Sequence, residues 1–168
     1  VGYQPLSQFI NGQGNIAIGF WAMSGSTSGV NNLAIGNQAL ETSNGSDNIV
    51  IGNGALRSNT SGTKNTLLGV NTGSFNIVGS SNVFLGYSAG QNELGSNKLY
   101  IANNSTIAPL IYGDFVNNRL AIGTTTANGD LQFSNVINGR KIILWEGGNN
   151  DHQIYGIGTN VNAMRYQV

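Results

Sequence analysis

Asn15-Ile16-Ala17-Ile18-Gly19, Asn32-Leu33-Ala34-Ile35-Gly36, Asn48-Ile49-Val50-Ile51-Gly52, Asn65-Thr66-Leu67-Leu68-Gly69 and Asn82-Val83-Phe84-Leu85-Gly86 are five copies of one pentad. Their glycines recur at intervals of roughly 17 residues, with one shorter step of 16 between Gly36 and Gly52. A small residue comes after each Gly in register: Ala22-Met23, Ala39-Leu40, Ala55-Leu56, Thr72-Gly73 and Ala89-Gly90. Turn formers such as Ser24-Gly25-Ser26 and Ser43-Asn44-Gly45-Ser46-Asp47 fill the gaps. A fixed period of this length is the mark of a stacked repeat, in which no unit buries its apolar face alone. Each pentad is too short for a helix, so it reads as a short strand. The Gly that ends it suits a sharp corner needing positive φ or close backbone approach.

Period-2 alternation sets Ile16 and Ile18 on one face and Ala17 on the other, and likewise in every copy. The larger aliphatics are assigned to the roll core: Ile16, Ile18, Leu33, Ile35, Ile49, Ile51, Leu68, Val83 and Leu85. The second face runs Ala17, Ala34, Val50, Leu67, Phe84, a drift from small to large. Such a drift suits packing against identical chains around a three-fold axis, so these five are the candidate trimer-axis residues. Thr66 stands where an apolar core residue is expected, and Gly73 and Gly90 replace Leu, so the last coils are expected to taper.

Composition narrows the function classes. Charged residues make up 8% of the 168-residue chain and the formal net charge is +0. Average soluble proteins carry about 25% charge, so this surface must be solvated by amides, hydroxyls and backbone. Without a basic block, nucleic-acid binding loses its main driving force. Cysteine is absent, which excludes disulfides, thiolate zinc sites and thiol catalysis. No apolar run reaches the ~18 residues of a membrane helix, so no membrane insertion is expected. Gly2-Tyr3-Gln4-Pro5-Leu6 matches the back half of the repeat, which leads us to expect a longer parent protein.

After Asn92 the period breaks. Three hairpin-like runs, 98–102, 110–115 and 119–123, precede further strand-like runs at 130–133, 141–146, 153–158 and 163–168. Asn117-Asn118 suits a tight turn. Ten of the fourteen charged residues lie in this half. The expected organisation is a β-roll over 1–92, a β connector over 93–127 and a distal β domain over 128–168. The expected fold class is all-β, with roll or solenoid repeats leading into a small antiparallel β module.

The pentads resemble the head repeats of trimeric autotransporter adhesins, and the longer unit with Ala-Leu after the Gly is more similar to repeats of phage and phage-like tail-fibre proteins. Lys98-Leu99-Tyr100-Ile101-Ala102, Pro109 to Phe115 and Asn118 to Thr124 resemble the segment that succeeds such repeats in tail fibres, and 138–168 resembles a module near their distal end. The resemblance implies a left-handed β-roll, an intertwined homotrimer, and attachment to a cell-surface receptor, a glycan or outer-membrane component. It places the protein in a virion tail fibre or injection-system particle, or alternatively on a bacterial cell surface. A tip beyond Val168 is expected to carry receptor binding.

No enzyme activity and no cofactor or metal is expected. His152 beside Asp151 invites a triad, but no Ser sits in a nucleophile elbow; three copies of His152 at an axis would be needed for a metal site. Asp114, Asp130, Glu146 and Asp151 are few for the carboxylate pair of a glycosidase, so a polysaccharide-degrading tailspike stays a third reading behind the fibre and the adhesin. Trp145 and Tyr155 are the candidate glycan contacts, with Trp21 and Tyr87 as further stacking surfaces; packing is the commoner use of an aromatic.

Overall fold

The computed structural model describes residues 1–134 and, beyond them, the backbone of strands at 140–146, 154–160 and 163–167. Contacts divide the chain into two units, Val1–Gln132 and Phe133–Val168. The first is an all-β solenoid of about five turns with no helix among the described residues. Each pentad contributes one three-residue strand: β1 (Ile16–Ile18), β2 (Leu33–Ile35), β3 (Ile49–Ile51), β4 (Thr66–Leu68) and β5 (Val83–Leu85). These pair in parallel, each rung one coil further along the stack.

The sheet does not stop where the period does. β6 (Lys98–Ile101) pairs in parallel with β5, then β7 (Ile111–Asp114) and β8 (Arg119–Ile122) add antiparallel, and β9 (Leu131–Phe133) completes a nine-stranded sheet. These spans fall within a residue or so of the hairpin-like runs read from the sequence. Asn118, at the expected turn, has φ 52°. In the second unit, β10 (Arg140–Glu146), β11 (Ile154–Asn160) and β12 (Ala163–Gln167) pair antiparallel.

The corner glycines behave as their position demands. Gly36 has φ +135°, and a Cβ there would lie 2.5 Å from the Gly52 carbonyl oxygen of the next coil. Leucine and methionine also occupy left-handed backbone: Leu6, Met23, Leu40 and Leu56 have φ between 48° and 54°. This conformation costs roughly 1–2 kcal/mol per non-Gly residue. Stacked hydrogen bonds hold it, such as Leu40 N–H to Ala55 O at 3.0 Å.

The interior corrects the assignment of faces. Ala17, Ala34, Val50, Leu67 and Phe84 point inward and form the core, with Phe84 1% exposed. They cannot meet another chain at an axis. Ile16, Ile18, Leu33, Ile35, Ile49, Ile51, Leu68, Val83 and Leu85 face outward and are not the roll core; Ile16 is 54% exposed. The reason is geometric. A three-residue strand sends one side chain inward, its middle one, and the neighbours on either side go out. Thr66, being outward, leaves no polar anomaly in the core.

The drift in size has an internal cause. Opposite each middle strand residue stands the residue four past the corner Gly. Going up the stack, the strand side grows from Ala17 and Ala34 to Leu67 and Phe84, while the facing side shrinks from Met23 and Leu40 to Gly73 and Gly90. A Cβ on Gly90 would sit 2.8 Å from Phe84 Cδ2, and one on Gly73 would sit 2.8 Å from Leu67 Cδ2. The filled volume is shared differently between the two walls, so these glycines impose no taper.

Candidate functional site

The Asn at the head of each pentad forms a ladder, buried from Asn32 onward and half-buried at Asn15. Asn48 Nδ2 donates to Asn32 Oδ1 and to Gly62 O, both at 3.0 Å. Asn48 Oδ1 accepts from Asn65 N–H and Asn65 Nδ2. Rungs at Asn15, Asn32, Asn65 and Asn82 repeat the pattern, and Lys98 N–H caps it on Asn82 Oδ1 at 3.0 Å. A shorter column adds Asn59 and Asn76, which accept from Gly62 and Gly79 N–H. Its last member is Glu93, which accepts from Gly95 N–H at 2.7 Å and from the Tyr100 hydroxyl at 2.8 Å. Burial, and then that bond to Glu93, raise the Tyr100 pKa well above its ordinary value. These polar groups are consumed inside the coil, so they hold the fold rather than a ligand.

What the coil leaves unpaired is its outer face. Strand register sets Ile18, Ile35, Ile51, Leu68, Leu85, Ile101, Ile111 and Ile122 side by side on eight successive strands. Every rung is Ile or Leu, and none is buried. A second column beside it holds Ile16, Leu33, Ile49, Thr66, Val83, Leu99, Gly113 and Leu120. At ~4.8 Å per strand the stripe is about 34 Å long. It crosses from parallel to antiparallel pairing without a break, because β7 and β8 keep the same inward–outward parity. The inner column does so too: Phe84, Tyr100 and Tyr112 pack edge to face at 5.3 Å between centroids, and Ala121 comes next.

The aromatic candidates separate. Tyr87 is exposed. Tyr3 and Phe20 stack at 5.3 Å and 12°, and Phe20 meets Trp21 at 4.8 Å. Trp21 Nε1–H donates to Gln4 Oε1 at 3.1 Å. Backbone register pairs Trp145 with Tyr155 across β10 and β11; their side chains, with His152 and Asp151, lie outside the described residues.

No known family, curated protein or solved structure matches this chain.

Of the acidic candidates, Asp114 and Asp130 are each engaged in unit 1, while the side chains of Glu146 and Asp151 lie outside the described residues. Asp114 Oδ2 takes a hydrogen bond from Asn117 Nδ2 at 2.8 Å and lies 3.3 Å from Lys98 Nζ, a bridge between β7 and β6. The Asn117 bond, opposed by burial and reinforced by Lys98, holds the Asp114 carboxyl below its usual pKa. Asp130 enters the sheet through its carbonyl, which accepts from Leu120 N–H at 2.8 Å. Among the described residues no group of three His, Cys, Asp or Glu converges. The feature missed from the sequence is the outward face, and its signal was present. Asn and Gly recur in every pentad and share parity with the middle residue, so the ladder marks the inside.

Proposed function

We propose that this protein is a non-catalytic fibre segment that self-associates through its outward aliphatic face and serves to hold or present an attachment surface. The observation that supports it is the eight-rung Ile/Leu column, an unbroken aliphatic row in which every rung is at least partly exposed. Scattered single apolars on a surface are ordinary, but an ordered contiguous patch marks an interface. A second and third copy of the same chain are the partners that match it rung for rung, since each presents the same spacing. The number three, the left-handed winding and the intertwining come from the resemblance of the pentads to trimeric fibre repeats. An antiparallel module after residue 128 fits the same plan. The stacked coils act as a stiff spacer, and multiple copies bind a cell surface together, so that weak contacts gain by avidity. A virion tail fibre or injection-system particle is the setting this reading favours.

Light scattering tests the assembly. The wild-type chain is expected near three times 17.6 kDa, and the pair Ile51→Lys with Leu68→Lys is expected as a monomer with an unchanged β circular-dichroism spectrum. A monomeric wild-type chain would sink the reading.

A further inference from the structure

We infer that the corner bearing Tyr3, Phe20 and Trp21, with Gln4, Asn37 and Gln38 around it, is a binding site for a neutral sugar ring. The two residues after each corner Gly form two columns along the stack. One runs Tyr3, Phe20, Asn37 and the other Gln4, Trp21, Gln38. Three aromatic rings thus meet three neutral amides within three coils. Tyr3 is 61% exposed, Phe20 41% and Trp21 36%. Contacts orient them: the Tyr3–Phe20 stack is near-parallel, and the indole N–H of Trp21 donates to Gln4. Trp21 and Gln38 also have left-handed backbone, φ 55° each, set by hydrogen bonds from Trp21 N–H to Tyr3 O and from Gln38 N–H to Phe20 O.

Size and chemistry choose the occupant. At 150–250 Å² per aromatic side chain, the exposed ring surface sums to about 300 Å². A stable protein partner needs about 800 Å² per side, so the patch is too small for one. It matches a sugar or two, whose C–H face lies on a ring while its hydroxyls meet amide donors and acceptors. None of the six residues is charged, so an uncharged sugar is favoured over an acidic one. The inference deepens the attachment reading and rests on it for its biological sense.

Fluorotryptophan labelling gives the test, because the chain has two tryptophans, Trp21 and Trp145, and Trp145→Phe assigns their two fluorine resonances. The intact chain is titrated with gluco-, manno-, galacto- and N-acetylglucosamine oligosaccharides. A saturable shift of the Trp21 signal is expected with at least one of them, weakened about tenfold by Tyr3→Ala and by Gln38→Ala without change in the β spectrum. If no sugar moves Trp21, the site is overturned. If only Trp145 moves, the site is overturned while attachment stands. Protection of Trp21 from iodide in the assembled protein would show another copy covering the corner, and would likewise overturn it.

Discussion

Phe84 and Gly90 share one volume inside the fifth coil, and their interdependence is the sharpest consequence at the residue scale. Phe84→Ala should cost about 3–5 kcal/mol, the usual penalty for emptying a core aromatic site. Gly90→Leu should also destabilise, because its side chain enters the Phe84 ring. Together they recreate the Ala34–Leu40 arrangement of the second coil, where Leu already holds φ 52°. The double variant is therefore expected to be more stable than either single one, measured by urea unfolding; simple additivity would refute the shared-volume account. Among the described residues, Ser26 Oγ is buried without a hydrogen-bond partner. Ser26→Ala should thus be neutral or stabilising by the same assay. Asn48→Ala should lose about 3 kcal/mol or more, since it strands donors and acceptors on three coils at 1–3 kcal/mol for each unsatisfied group. None of this residue-level pairing is legible in a linear reading. The drift from Ala17 to Phe84 is visible, but its counterpart in Met23 to Gly90 lies six residues away on the opposite wall.

At the scale of elements, the sequence told most about strands and least about faces. Repetition located β1 to β5, and the runs at 98–102, 110–115 and 119–123 located β6 to β8. Both faces of each pentad are apolar, so hydrophobicity alone could not say which points in. β6 keeps a 16-residue step and parallel pairing, but Lys98 and Ala102 replace the pentad's Asn and Gly and so conceal it; at β7 and β8 the switch to antiparallel pairing shortens the connections and erases the spacing. That hairpin carries a pH dependence. The Asp114 carboxyl is depressed in the folded state, so its contribution is present above the unfolded value of about 3.9 and is lost as pH falls through the lower folded one. Amide protection in β7 and β8, relative to the intrinsic exchange rate at each pH, should fall below about pH 4 before that in β2 and β3, whose ladder of neutral amides does not titrate. An equal loss of protection in all four strands would exclude the Lys98–Asp114–Asn117 cluster as the cause.

For the whole molecule, the outward face makes a distinct prediction about salt. The two columns from Ile16 to Ile122 contain no ionisable side chain, so assembly through them gains little from ion pairs. The mass by light scattering should stay constant from low to high ionic strength, where an electrostatic interface would dissociate. Dissociation with added salt would move the interface to the charged second half.

The coil is also an unusual way to store chain. About 17 residues advance the stack by one strand spacing, ~4.8 Å, whereas the same residues drawn straight reach roughly 56 Å. A pull along the stack strong enough to peel one coil would therefore release about 50 Å of tether. Because each coil is hydrogen-bonded to its neighbours by the same ladder, release would come in near-equal steps. A solenoid built this way is short and stiff under small loads and yields in measured lengths under large ones.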